Sequence, residues 1–194
     1  MMTKRLFVAL EIPAIVAAAL DRLDPELPGL RWLPARPLHL TLAFLGPVPD
    51  EAVPALVAAL ETVDSPPFPL ALRGLGRFGG HGRPLVVWAG VDAPPPALYT
   101  LHEQIEARVL ALGLAPGEKP FHPHVTVGRG KAVPGGRLHR FLARHAETPL
   151  GRFPVGGFTL FASVLTPEGA VHSREFHRAF PSVQSAADAR VRDT

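Results

Sequence analysis

Residues 38–46 read LHLTLAFLG, and residues 121–129 read FHPHVTVGR. Inside them, His39-Leu40-Thr41-Leu42 and His124-Val125-Thr126-Val127 are one pattern, His-x-Thr-x with apolar residues at x. On an extended strand, residues i and i+2 share a face. His39 and Thr41 therefore project together, with Leu40 and Leu42 turned the other way into a core. His124 and Thr126 do the same, backed by Val125 and Val127. Nine His and nine Thr in 194 residues give about 0.4 His-x-Thr pairs by chance, before the apolar alternation is required. One such strand is most simply a polar face turned to solvent. Two of them, 85 residues apart, point to two similar lobes that each bring an imidazole and a hydroxyl to a shared cleft.

The rest of the chain supplies the surroundings. Residues 5–11 (RLFVALE) predict a strand bounded by Pro13, and 14–23 a helix with Ile15, Val16, Ala19, Leu20 and Leu23 at helical spacing. A short strand is expected at 30–33. The strand 38–45 should stop at Gly46-Pro47, and Asp50 reads as the N-cap of a helix to about Val63. Strands 68–78 and 85–91 form a hairpin across Gly79–Arg83, a connection longer than the tight two-residue kind. Leu98, Leu101, Ile105, Val109 and Leu112 mark an amphipathic helix over 97–112, closed by Gly113. After a loop at 115–120 come the strand ending in HVTVG, a helix at 135–145, one strand within 152–165 (VGGFTLFASVL) and a returning strand at 172–180. Residues 181–194 are small, polar and unpatterned, as a frayed tail is.

Helices and strands alternate irregularly, and several strand pairs have short links that favour antiparallel pairing. The fold class is α+β: two similar lobes of mainly antiparallel sheet with outer helices, flanking a central active-site cleft. Residues 1–180 form one bilobal domain. GLGRFGG at 74–80 resembles a dinucleotide fingerprint, but it leads into a strand and not a helix, so it is set aside.

Composition narrows the function classes. Hydrophobic residues make up 47% and charged ones 19%, enough apolar material for a core and unlike a disordered chain. The net charge of +3 is too small to coat duplex DNA, while a local basic groove for a short anionic ligand is compatible with it. With no cysteine, disulfides, thiolate metal sites and thiol nucleophiles are excluded. The opening MMTKRLFVALEI lacks a cleavage site, and no long uncharged apolar run follows. A soluble, cytoplasmic monomer is expected, without membrane or obligate protein partner.

Outside the two motifs the signals are weaker. His122 lies two before His124, a spacing seen in metal sites, but no third ligand stands at a recognisable distance; no metal is expected. Trp32 and Trp88 read as core. Arg73, Arg77 and Arg83 flank the 79–82 turn and are most simply solvated. His81, His102, His139, His145, His172 and His177 have no motif partners and read as surface or satisfied core residues.

RLFVALEIP at 5–13, LHLTLAFLG at 38–46, LVVWAGV at 85–91, FHPHVTVGR at 121–129 and FTLFASVLTPEG at 158–169 together resemble the two-histidine phosphoesterase superfamily. Within it, the chain is similar to the bacterial RNA 2′,3′-cyclic phosphodiesterases, historically called 2′-5′ RNA ligases. The resemblance runs from Arg5 to Phe180 and departs from the family pattern at His172, where many relatives carry Tyr. It implies hydrolysis of a terminal 2′,3′-cyclic phosphate to a 2′-phosphomonoester, with RNA ends as partner and no cofactor.

Two imidazoles suit that chemistry. One must be neutral to take a proton from water and the other protonated to donate to the leaving oxygen, and an unperturbed His pKa of about 6.5 allows both near neutrality. The spacing does not distinguish His39 from His124. The resemblance implies that His124 activates the water and His39 protonates the leaving 3′ oxygen, and by reversibility it allows ATP-independent 2′-5′ ligation. Thr41 and Thr126 are expected to donate to the non-bridging oxygens. Arg129 resembles a substrate-contacting Arg, with a rim salt bridge as the plain alternative. Phe44 is a candidate base platform, although strict alternation from His39 turns it toward the core unless a bulge re-aims it. The competing readings are the same fold acting on a 2′-5′ oligonucleotide or an ADP-ribose cyclic phosphate, and a non-catalytic RNA-end binding module.

Overall fold

The apolar alternation that marks the two motifs recurs at residues 68–72 and 152–155, whereas residues 6–10 and 158–162 are buried one after another, on both faces of the sheet. The computed structural model describes residues 2–34, 38–80, 83–114, 120–167 and 169–181. In chain order its elements are β1 (Thr3–Glu11), α1 (Ala14–Asp21), β2 (Leu30–Trp32), β3 (His39–Pro49), a 3-10 turn (Asp50–Ala52), α2 (Val53–Glu61), β4 (Phe68–Gly80), β5 (Arg83–Val91), α3 (Pro96–Ala111), β6 (His124–Gly130), α4 (Gly135–Arg144), β7 (Pro149–Val155), β8 (Gly157–Thr166) and β9 (Gly169–Ala179). The nine described strands pair in the order β7-β4-β5-β6-β3-β1-β8-β9, with β2 also on β6. Every pairing is antiparallel. The α+β class and the antiparallel lobes hold.

The lobes are not the two halves of the chain. One contains β1, β3, β8 and β9, the other β2, β4, β5, β6 and β7, so each draws strands from both halves. The chain changes lobe at Gly156, where the sequence predicts one continuous strand. That expectation is corrected: β7 pairs with β4, whereas β8 pairs with β1. The next residue explains the close crossing, since a Cβ on Gly157 would lie 2.3 Å from the Arg178 carbonyl oxygen. A single residue linking strands so far apart in the ladder requires the sheet to curl, so that the end of β7 comes back to the start of β8.

Helices cover one face of the sheet. Leu98, Leu101, Ile105 and Val109 of α3 are fully buried with Leu40, Val125 and Val127, and Leu42 joins the same cluster. Each buried Leu or Val contributes about 1.5–3 kcal/mol, so the motif strands are held by their apolar backs. The opposite face carries a small cluster of Phe7, Ala9 and Phe161.

Three local expectations change. β3 runs on through Gly46-Pro47 to Pro49, paired with β1. Its other edge meets β6 only at Leu40, so Pro47 has no ladder to interrupt there. Asp50 makes no cap bond; the 3-10 turn follows Pro49, and α2 starts at Val53. The β4–β5 strands pair as far as Gly80 and Arg83, leaving a shorter link than expected. Gly113 does close α3, at φ +70°. Residues 115–119 of the loop expected at 115–120, His81 and the tail beyond Pro181 lie outside the described residues.

Candidate active site

β3 and β6 join at a single rung, Leu40 opposite Val125. These are the first apolar residues of the two motifs. In an antiparallel ladder the neighbours of a rung lie on the opposite face from it. His39 and Thr41 from one strand, and His124 and Thr126 from the other, therefore flank the same junction on the open face.

His39 is half-buried in an aromatic cluster. Its ring centroid is 4.8 Å from Phe7, 6.3 Å from Phe161 and 5.3 Å from His172, the last edge-on at 85°. His124 has a matching setting in the other lobe. Its ring is 5.1 Å from Phe78, 6.0 Å from His122 and 6.3 Å from Trp88. Each motif histidine thus stands beside a Phe and a second histidine.

The tautomer of His124 follows from one bond. Its Nδ1 lies 2.6 Å from the backbone carbonyl of His122. A carbonyl only accepts, so Nδ1 carries the proton and Nε2 keeps its lone pair. Burial pushes the His124 pKa below the ordinary histidine value, against the pull of that carbonyl, and the electrostatic influence of neighbouring His122 and Arg129 lowers it further.

Two bulges decide what else shares this face. Val8 pairs with Ala43 and Ala9 with Thr41, so Leu42 is an extra residue. The alternation slips by one: Leu42 and Ala43 are both buried, and Phe44 emerges 54% exposed. Its ring stands 5.9 Å from Phe7, on the His39 side. Phe44 belongs to the open face and not the core. The bulge is held from behind by His102 Nδ1, 2.9 Å from the Leu42 carbonyl. On β6, Trp88 pairs with Thr126 and Val87 with Gly128, which leaves Val127 as the extra residue. Arg129 thereby rejoins the face of Thr126.

Some residues on this face carried no motif signal. Arg31 is the cross-strand partner of Arg129, and its charge, after burial, lowers the Arg129 pKa. A Cβ on Gly169 would lie 3.1 Å from the Arg31 guanidinium, so Arg31 reaches from β2 to the β8–β9 hairpin of the other lobe. Trp88, read as core, is half-buried beside His124 and His122; Trp32 is core, its indole N–H on the Leu20 carbonyl at 3.1 Å. His172, read as bystander, faces His39. Its Nδ1 is buried without a hydrogen-bond partner, and burial lowers its pKa. The rings of a last-strand residue reach the first motif only through long-range pairing, which no local pattern records.

Two cavities flank the junction. One, about 340 Å³, is lined by Glu11, Thr159, Arg174 and His177, and Glu11 is the ladder partner of His39. There the buried Thr159 hydroxyl donates to Glu11 at 2.6 Å and lies 2.8 Å from His177 Nδ1, while Arg174 pairs with Glu11. The other, about 400 Å³, is lined by Trp88, Tyr99, His122 and the Arg73–Asp92 pair. Arg77 bonds to the Gly79 carbonyl at 2.6 Å, so Arg73 and Arg77 are both engaged locally. Among the described residues no three His, Cys, Asp or Glu gather as a metal group, and no described helix is long and apolar enough to cross a membrane.

Comparison with known proteins agrees with this geometry. The model of the 2′-5′ RNA ligase superfamily matches residues 12–167. An RNA 2′,3′-cyclic phosphodiesterase of Thermus thermophilus is 36% identical over 181 residues, covering 87% of this chain and 86% of that protein. The crystal structure of Escherichia coli LigT in apo form superposes with a TM-score of 0.76 at 28% identity, over 94% of this chain and 100% of the other. The same protein complexed with 3′-AMP gives 0.75 at 30%, over 93% and 99%. With both motifs on one junction and the family model spanning most of its length, the chain belongs to the 2′-5′ RNA ligase superfamily.

Proposed function

We propose that the chain is an RNA 2′,3′-cyclic phosphodiesterase that opens a terminal cyclic phosphate to a 2′-phosphomonoester. His124 Nε2 takes a proton from water as the water oxygen bonds to phosphorus. The P–O3′ bond breaks opposite, and His39 delivers a proton to the leaving 3′ oxygen. The two histidines end in exchanged protonation states, which solvent resets. Thr41, Thr126 and Arg129 donate to the non-bridging oxygens as charge grows on them. Phe44 offers its exposed ring to the terminal base. With a 5′-hydroxyl in place of water as the attacking group, the same steps join it to the cyclic phosphate end through a 2′-5′ linkage without ATP, as P–O3′ breaks, a reaction disfavoured in dilute solution.

The observation that carries this reading is the Leu40–Val125 rung, which sets an imidazole and a hydroxyl from each strand around one point. The tautomer of His124, with its lone pair on Nε2, supports the base role. Relatives bearing the name of this activity support the substrate class, and the 3′-AMP complex of LigT supports a nucleotide at the end of the RNA.

The test is turnover of an RNA ending in 2′,3′-cyclic phosphate, in EDTA, with identification of the product. A 2′-phosphate is expected. A 3′-phosphate would reverse which oxygen leaves. Binding without turnover would favour an RNA-end binding module, and loss of activity in EDTA would call for a metal.

A further inference from the structure

We propose that His172 is a positioning residue for His39, its ring holding the His39 imidazole in the orientation that addresses the cleft. The inference rests on the role of His39 given above and adds a residue to it. His172 lies on β9, opposite Ser163 of β8, two strands beyond β1 and three from β3 in the ladder. Curling of the sheet brings its ring back to the motif.

Three rings define the contact. His172 stands edge-on to His39 at 5.3 Å and 85°, and edge-on to Phe7 at 4.9 Å and 74°. Phe7 itself lies 4.8 Å from His39 at 35°. Edge-to-face contact is directional, because the positive edge of one ring seeks the negative face of another. Phe7 and His172, themselves 4.9 Å apart, bear on His39 from neighbouring directions, one tilted and one edge-on, and together leave its ring little freedom to rotate away. A general acid needs that restriction, since proton transfer requires the donating nitrogen within hydrogen-bond reach of the leaving oxygen.

The chemistry of His172 fits a ring that works by shape. Its Nδ1 is buried and makes no hydrogen bond, so no polar partner depends on that atom. The burial that isolates it also favours the neutral ring. Neutrality matters here: a second imidazolium beside His39 would repel the proton that His39 must carry. Phe7 and Phe161 cannot replace the contact, because Phe161 is 6.3 Å from His39 and Phe7 meets it at a shallower angle.

The test compares two substitutions of similar size, His172→Phe, which keeps a ring, and His172→Leu, which does not. Steady-state kinetics on a cyclic-phosphate RNA should give His172→Leu a kcat lowered about 10-fold with KM within about threefold, and His172→Phe within about threefold of the unsubstituted enzyme in both, an interaction made in the transition state being lost with the ring and kept with it. In a His39→Ala background, adding His172→Leu should cost less than about twofold, since a residue acting through His39 has nothing left to act on. The proposal is overturned if His172→Leu turns over like the unsubstituted enzyme, if Phe and Leu are equally impaired, or if the Leu loss persists without His39. Unimpaired His39→Ala would overturn the role of His39 and this proposal together. An impaired His39→Ala with a normal His172→Leu overturns this proposal alone.

Discussion

Leu40 and Val125 face each other in the rung that joins β3 to β6, and each stands one residue after a motif histidine. Both side chains are fully buried. The core contact on one side of the sheet thereby fixes the spacing of the two imidazole–hydroxyl pairs on the other.

If the two histidines divide the proton transfers, neither is dispensable. His39→Ala and His124→Ala should each lower kcat by at least about 100-fold, the smaller end of general acid–base contributions. Single-turnover kinetics on a cyclic-phosphate RNA measures this. Near-normal turnover by either variant removes that histidine from the mechanism.

The pH dependence follows from the setting of His124. Burial favours its neutral form and lowers its pKa, so it keeps its lone pair at a pH where an ordinary histidine has lost it. A general base works when unprotonated. The acid limb of kcat/KM against pH should therefore have its midpoint below the usual histidine value of about 6.5. A midpoint at or above about 7 would contradict the assignment of His124 as base.

Much of this site was legible in two short stretches. The alternation Leu40, Leu42, Val125, Val127 correctly marked the buried face, and with it the outward pairing of each His with its Thr. What strict alternation could not give was the facing of Phe44 and Arg129. Both depend on an extra residue, Leu42 or Val127, and a bulge is a property of two strands in register rather than of one. The same limit hid the break at Gly156, because VGGFTLFASVL is a good strand by composition. It also hid His172 and Arg31, which reach the site through pairing across the whole sheet. Trp88 was misplaced because a large apolar ring reads as core wherever it occurs.

Arg129 and Arg31 are cross-strand partners of like charge, and a bound phosphate would lessen the repulsion between them. Arg129→Gln should raise the Kd for an RNA 2′-phosphate end at least about tenfold, in line with about 1.5–3 kcal/mol for a charge-assisted bond, and should reduce the salt dependence of binding. Titration of an uncleavable RNA 2′-phosphate at several salt concentrations reads both. An unchanged salt slope would place Arg129 off the substrate.

Gly76 is the ladder partner of Trp88, and a Cβ there would lie 2.2 Å from two atoms of the indole. Gly76→Ala should displace the ring, at a cost of about 1–3 kcal/mol in stability, and lower kcat/KM by disturbing the wall beside His124. With Trp32 the other of the chain's two tryptophans, a shift in emission reports the movement. Unchanged fluorescence and kinetics would mean that Trp88 has room to spare.

The convergence of the two motifs on one phosphate is open to a direct measurement. A nucleoside 2′-monophosphate is titrated into the protein while the ring C–H resonances of His39 and His124, assigned from the alanine variants, are followed by NMR. Both should shift along one curve with a single Kd and a stoichiometry of one. Movement of only one imidazole, or two curves with different Kd values, would show that the histidines belong to separate places on the sheet.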